Sequence, residues 1–435
     1  MRTAIALLAS AMFTFTVSAQ SLYFPPLTGG TWDTLSPQSL NWCQNKIDSL
    51  YDYLDTNSTK AFILLKDGKI VLEKYFGSHT QATPWQWASA GKTITAFMVG
   101  IAQQENYLSI HDSTSVHLGQ GWTQCTPAQE GKITIRHQLT MTSGFDDGVP
   151  DPFCSLDTCL VYLAEPGTRW AYHNAPYTLL DGVIENATGL TLNAFTTQKL
   201  KNPTGMTGMF VSLGYNNVFF SNARSMARFG LLMLNKGNWN GNQIMTDSTY
   251  FHDMVNTSQS LNPAYGYLWW LNGKATYMLP GIQFSFNGSI NPNAPADMIV
   301  AMGKDGQFLN VVPSLNMVWL RMGNSPDGHP VPYMLNDKIW EFINALECDQ
   351  VGVGKWDGEG SVRLFPNPGR DVITIESGAE INKVELYSVE GQLLQVIQAQ
   401  QTPMRFSISG FPAGLYFVRV DLTNGSRWMG KLIKE

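Results

Sequence analysis

Lysine and arginine are not in surplus in this 435-residue chain: 28 of them stand against 34 aspartates and glutamates, for a net charge of −6. No basic run interrupts that balance, which excludes a nucleic-acid footprint and an electrostatic membrane patch. Metal-ligand spacing is missing as well. The seven histidines are scattered, and the five cysteines (Cys43, Cys125, Cys154, Cys159 and Cys348) contain no Cys-x-x-Cys pair, so nothing reads as a zinc site. Long apolar runs are absent beyond the extreme N-terminus. The run found there, "AIALLASAMFTFTV", is shorter than the roughly 18–20 residues that a membrane span needs, so no transmembrane helix is expected.

What is present is a chain that is 44% hydrophobic and 12% aromatic. That content excludes general disorder, and the length exceeds what one ordinary domain needs. Met1-Arg2 before the apolar run, and Val17-Ser18-Ala19 after it, predict a secretory signal peptide over residues 1–19, cleaved after Ala19. Export permits disulfides. Cys154 and Cys159 flank a turn-like "SLDT" and predict a local bridge, and the odd count leaves at least one thiol over or paired elsewhere.

Residues 37–55 carry apolar side chains at helical spacing. Two β-rich runs then flank Lys66-Asp67-Gly68-Lys69, a hairpin turn signal. Helical segments are predicted after Ser89 to residue 106, over 176–187 and over 223–236. Two strands, "ADMIVAMG" and "NMVWLRMG", fall within 297–322 with "KDGQFLNVVPSL" between them, and a last helix covers 332–347. The first and last helices would then cover a sheet made from both ends of the chain. The Gly-rich stretch 349–362 reads as a linker. Beyond it, residues 363–435 are short alternating runs between turn residues, predicting an all-β sandwich of about seven strands.

Chemistry concentrates in three places. Ser89 has Lys92 three positions on, in "WASAGKTITAF", so a helix would put both on one face. A serine hydroxyl needs a base, and a lysine serves as one only when burial or a neighbouring cation keeps it neutral. The same residues also fit a helix start with a solvated lysine. Tyr172-His173-Asn174 offers a phenol for proton shuttling and an amide for positioning. Tyr215-Asn216-Asn217 repeats the Tyr-x-Asn pattern and reads as loop polarity. Lys304-Asp305-Gly306-Gln307 lies in strand-rich sequence, where a glycine lets a substrate backbone approach a sheet edge. Lys66-Asp67-Gly68 is the same tripeptide in a plain turn.

In this order and spacing, Ser-x-x-Lys, Tyr-x-Asn and Lys-x-Gly resemble the penicillin-recognising serine hydrolases, nearest to their class C β-lactamase-like branch. Accessory stretches such as "EPGTRWAYHNAPYTLLDGVIENATG" and "SMARFGLLMLNKG" fit the same resemblance, which covers roughly residues 37–347. It implies an α/β (α+β) fold: an antiparallel sheet flanked by helices, with an all-helical lobe inserted. It further implies Ser89 as acylated nucleophile, Lys92 as its base and Tyr172 as proton shuttle. Asn174, Lys304 and Gly306 would line the pocket, and the N–H groups of Ser89 and Gln307 would form the oxyanion hole. No metal or cofactor is implied. Because that fold packs the terminal helices together, it also allows Cys43 and Cys348 to pair.

Asp305 departs from the family's third motif, which carries a hydroxyl or cation for a substrate carboxylate. A carboxylate there would oppose one on the substrate. The expectation is therefore an ester or amide substrate, small or peptidic, with β-lactam or D-Ala-D-Ala hydrolysis as the alternative and a catalytically silent binding protein as another. Residues 363–435 ("LFPNPGRDVITIE", "GFPAGLYFVRV") resemble the C-terminal sorting domain of the type IX secretion system of Bacteroidetes. That implies export through the periplasm, with outer-membrane machinery as partner, to the surface or medium.

Overall fold

The computed structural model describes residues 22–326, 331–348, 362–399 and 401–435. Residues 1–19, expected to be a signal peptide, and nearly all of 349–362, expected to be a linker, lie outside the described residues. The chain divides after Cys348 into two compact units.

The larger unit is built on a sheet of six antiparallel strands. They are β1 (Thr59–Lys66), β2 (Lys69–Tyr75), β3 (Trp270–Leu271), β4 (Ile299–Gly303), β5 (Gln307–Val312) and β6 (Met317–Gly323), in the spatial order β2-β1-β6-β5-β4-β3. The sheet thus joins both ends of the unit, as expected from the sequence. One expectation fails: "KDGQFLNVVPSL" holds a third strand, β5, whose six residues are all buried. A strand covered on both faces shows no alternation to read.

Five helices matter for the site: α1 (Gln44–Thr56), α2 (Lys92–Gln104), α3 (Asn174–Thr188), α4 (Ala223–Leu234) and α5 (Tyr333–Asn344). The segment predicted as one helix over 37–55 begins instead as a 3₁₀ turn, Pro37–Leu40, which ends at a left-handed Asn41 before α1. Successive residues of β6 serve opposite faces of the sheet, as the pleat requires. Trp319 meets Trp340 of α5, with ring centroids 5.8 Å apart. Val318 meets α4 at Gly230, where a Cβ would come within 2.5 Å of Val318 Cγ1. On the α5 face, α1 joins through stacked Tyr53 and Phe342, centroids 4.7 Å apart.

Both disulfides form: Cys154 with Cys159, and Cys43 with Cys348 across 305 residues of sequence; Cys125 is a free, half-buried thiol. On chain-entropy grounds the long-range bridge contributes about 5–6 kcal/mol and the five-residue one about 2 kcal/mol. Replacing Cys43 and Cys348 by serine should therefore lower the calorimetric unfolding midpoint well below that of the Cys154/Cys159 double serine variant. Equal shifts would contradict this assignment.

Among its described residues, the smaller unit has seven strands, in sheets of three and four. Its own core contains Ile373, Ile375, Val384, Leu386, Val418, Val420 and Leu432. Among the described residues, no helix is long and apolar enough to cross a membrane.

Candidate active site

The chain enters α2 through a 3₁₀ turn, Ala88–Gly91, that carries Ser89. Trp87, fully buried, anchors this turn. Its backbone N–H donates to Phe219 O at 2.8 Å and its indole Nε1 to Ser221 Oγ at 2.8 Å. Ala88 takes a left-handed φ of 47°, uncommon for a residue with a Cβ, so the chain is strained one residue before Ser89.

Lys92 opens α2 and is 3% exposed. Its Nζ donates to Ser89 Oγ at 2.8 Å and to Asn174 Oδ1 at 2.9 Å. The rings of Tyr177 and Tyr172 close over it, with centroids 4.1 and 5.1 Å from Nζ. Burial in this setting pulls the Lys92 ammonium down to about 7, against an opposing pull from Asp181. Desolvation disfavours the charged form, so near neutral pH a large fraction of Lys92 is free amine.

Tyr172 is held by aromatic neighbours: it stacks on Trp270 with centroids 5.8 Å apart, and meets Tyr265 edge-on at 6.2 Å. Burial pushes its phenol up to about 12, and a hydrogen bond with Ser89 works the other way. The phenol is therefore protonated at neutral pH. His173 is buried, and neither ring nitrogen has a hydrogen-bond partner among the described residues. Burial lowers it to about 4, which leaves the ring neutral. Ser89, Lys92, Tyr172 and Asn174, all singled out from sequence, thus meet at one point.

The third sequence motif lands differently. Lys304-Asp305-Gly306 is the turn between β4 and β5, with Asp305 at φ 64° and Gly306 at φ 76°. Asp67 and Gly68 do the same between β1 and β2, at φ 52° and 81°. Both tripeptides are Asp-Gly hairpin turns, in which two successive positive φ values match the strand twist. Lys304 is exposed. Gly306 is turned towards Arg321, whose Nη1 would lie 2.5 Å from a Cβ there. The Gln307 side chain is buried, donating to Lys304 O and Gly323 O at 3.1 and 2.7 Å.

The glycine that faces the serine is instead Gly303, at the end of β4. A Cβ at that position would lie 2.4 Å from Trp87 O, 2.9 Å from Ala90 N and 3.1 Å from Ser89 N. This departs from the sequence expectation for Gly306: the motif is displaced because the strand ends before the turn begins, while the expectation for Gln307 concerned its backbone N–H, which its buried side chain does not test. Pairing of β4 with β3 stops at Val300, so the β4 edge from Ala301 to Gly303 has no β3 partner beside Ser89. Gly303→Ala should displace the Ser89 turn, because backbone atoms cannot swing aside as a side-chain end can. We expect kcat/KM to fall at least about 100-fold, as for loss of one oxyanion donor, in a protein that still folds by circular dichroism. Unchanged kinetics would show that the turn tolerates the methyl.

Gly303, which packs on the Ser89 turn, Tyr177, which covers Lys92, and Asp181, whose charge acts on Lys92, were not picked out from sequence. A signal existed for two of them. Positions 174, 177 and 181 share one face of α3, the face begun by Asn174.

Residues 58–342 match the Beta-lactamase family, and residues 363–435 match the secretion system C-terminal sorting domain. The chain is 24% identical over 320 residues to an uncharacterized protein of Alkalihalophilus pseudofirmus, covering 64% of this chain and 88% of that protein. Among solved structures, it is similar to a provisionally named 6-aminohexanoate-dimer hydrolase from Bacillus anthracis, with TM-score 0.54, 21% identity, and 73% and 89% of the two chains covered. A family VIII carboxylesterase has TM-score 0.53 and 14% identity, with 70% of this chain and 98% of the other covered. At these identities the solved structures show a common fold. With the family match spanning most of its length on that fold, the chain belongs to the Beta-lactamase family.

Proposed function

We propose that the larger unit hydrolyses an ester or amide by acyl transfer through Ser89. The observation that carries this reading is Lys92: buried, 2.8 Å from Ser89 Oγ and lowered to about 7. In the proposed sequence, free-base Lys92 takes the Ser89 proton as Oγ attacks the substrate carbonyl. The oxyanion is met by the Ser89 N–H and by an N–H of the β4 edge next to Gly303. Protonated Tyr172 gives its proton to the departing alkoxide or amine, which leaves Ser89 acylated. Lys92 passes the proton it took to the Tyr172 phenolate; water then attacks the acyl-enzyme and gives its proton to Lys92, which returns it to Ser89 Oγ as the acid is released.

Several features support a neutral substrate over a carboxylate-bearing β-lactam. Lys304 is exposed, and Ala301 and Met302 at the end of β4 bring neither hydroxyl nor charge. The Asp305 charge acts on Arg321, which donates to the carbonyls of Asp305 and Gly306 at 3.0 and 2.7 Å. The solved structures similar to this chain include one provisionally named a 6-aminohexanoate-dimer hydrolase and one a family VIII carboxylesterase, which is consistent with this reading. The sorting domain supports a secreted or cell-surface protein.

A panel of p-nitrophenyl esters, nitrocefin and a D-Ala-D-Ala peptide tests the proposal. The esters should turn over, and kcat/KM should rise with pH through about 7 as Lys92 loses its proton. Preference for nitrocefin would favour the β-lactamase reading. Inertness towards all three, without labelling of Ser89 by a fluorophosphonate, would favour a silent binding protein.

A further inference from the structure

The helix that closes over Lys92 through Tyr177 carries a buried carboxylic acid that the steps above do not use. Asp181 is 5% exposed, one helical turn beyond Tyr177 on the face of α3 that also holds Asn174. The same face therefore gives Lys92 a hydrogen-bond acceptor, an aromatic wall and, next in line, an acid. On α2 the matching residue is Thr95, one turn after Lys92 and 1% exposed. Thr95 Oγ1 and Asp181 Oδ1 are both buried, and neither has a hydrogen-bond partner among the described residues; the Thr95 hydroxyl acts to favour the ionised acid. The second carboxylate oxygen, Oδ2, accepts from Asn217 Nδ2 at 3.0 Å. Asn217 is itself oriented by Ser212, whose Oγ donates to its Oδ1 at 2.7 Å. The second Tyr-x-Asn pattern thus supplies a donor to this acid.

We propose that Asp181 is a positioning residue for Lys92, and that with Thr95 and Asn217 it sets the pH at which Lys92 becomes a free base. This rests on the acyl-transfer reading above. The charges acting on Asp181 are those of Glu185 and Lys92. Glu185, on the next turn of α3, is exposed and accepts the Leu192 N–H at 2.8 Å. Lys199, on the turn Thr197–Lys201 packed against α2, is paired with Glu105 at 2.7 Å. Tyr172 and Tyr177 are both pushed up by burial and stay neutral. Lys92 is therefore the cation with which Asp181 exchanges influence. Burial raises the acid and lowers Lys92, and the charge of each acts on the other, so protons on the two are linked. An ionised Asp181 favours the ammonium, which cannot accept the Ser89 proton. A protonated Asp181 leaves the amine free.

The sign follows. Removing the Asp181 charge lowers the Lys92 pKa and extends activity to more acid pH. The test is the pH profile of kcat/KM for a p-nitrophenyl ester between pH 5 and 9, in the full chain, together with the pH dependence of Ser89 labelling by a fluorophosphonate. Asp181→Asn should shift the acid limb of both downward by about half to one pH unit, giving up to about tenfold more activity on the acid side, with the plateau kept. Asn217→Ala removes a donor that favours the ionised acid, so it should shift the limb the same way by less. That second variant decides the matter if Asp181→Asn does not fold. Limbs that stay in place, or rates that fall by one factor at every pH, would overturn the proposal. Absence of ester turnover and Ser89 labelling in the unaltered protein would instead overturn the hydrolase reading itself.

Discussion

Ser89→Ala is expected to lower kcat on a p-nitrophenyl ester by about three to six orders of magnitude, the range for removing a nucleophile whose partners act as a unit. The fold should hardly notice. Ser89 is half-exposed, and its hydroxyl accepts from Lys92, so stability should stay within about 1 kcal/mol. Loss of activity with an unchanged melting curve separates a chemical role from a structural one. A variant with more than about a tenth of wild-type kcat would remove Ser89 from the mechanism.

Lys92→Met should do two things at once. It should lower kcat by about 100- to 10,000-fold, as loss of a general base does, and it should make the larger unit more stable. The second effect follows from linkage. In the unfolded chain Lys92 keeps its ordinary pKa of 10.5, and in the folded chain it lies near 7. Between those values the unfolded state binds more protons, so the contribution of Lys92 to stability rises with pH across this window. Below pH 7 the destabilisation is complete, on the order of 4–5 kcal/mol. Methionine fills a similar volume without that cost but leaves Asn174 Oδ1 without its donor, so a net gain of about 2–3 kcal/mol is expected at pH 7. Thermal unfolding of the larger unit at pH 7 and at pH 9.5 would measure it. The variant should lead clearly at pH 7 and by less at pH 9.5. A variant less stable at both would mean that the contacts of Lys92 outweigh its desolvation.

The parts of this site that could be read from sequence are those held within one helix or at its start. Ser89 and Lys92 are three residues apart, and Tyr172 and Asn174 flank the start of α3, so local spacing was enough to nominate them. The hairpin at Lys66–Lys69 was legible for the same reason, and so was the strand-rich character of residues 363–435. What local sequence does not carry is where one element stops against another. Lys304-Asp305-Gly306 looked like a pocket motif, yet Gly303 touches the Ser89 turn, because the strand's last residue and not its turn meets the helix. β5 was hidden because burial on both faces erased its alternation. Asn217 read as loop polarity, because its partner, Asp181, lies 36 residues away in the chain.

The central claim is that Ser89 carries the acyl group. Acid quenching during turnover of a p-nitrophenyl ester, followed by peptide mass mapping, measures this directly. The account predicts the mass of the acyl group on the peptide containing Ser89, present in the wild-type chain and absent from Ser89→Ala. Steady turnover with no adduct on that peptide, or an adduct that maps instead to the free thiol of Cys125, would contradict it.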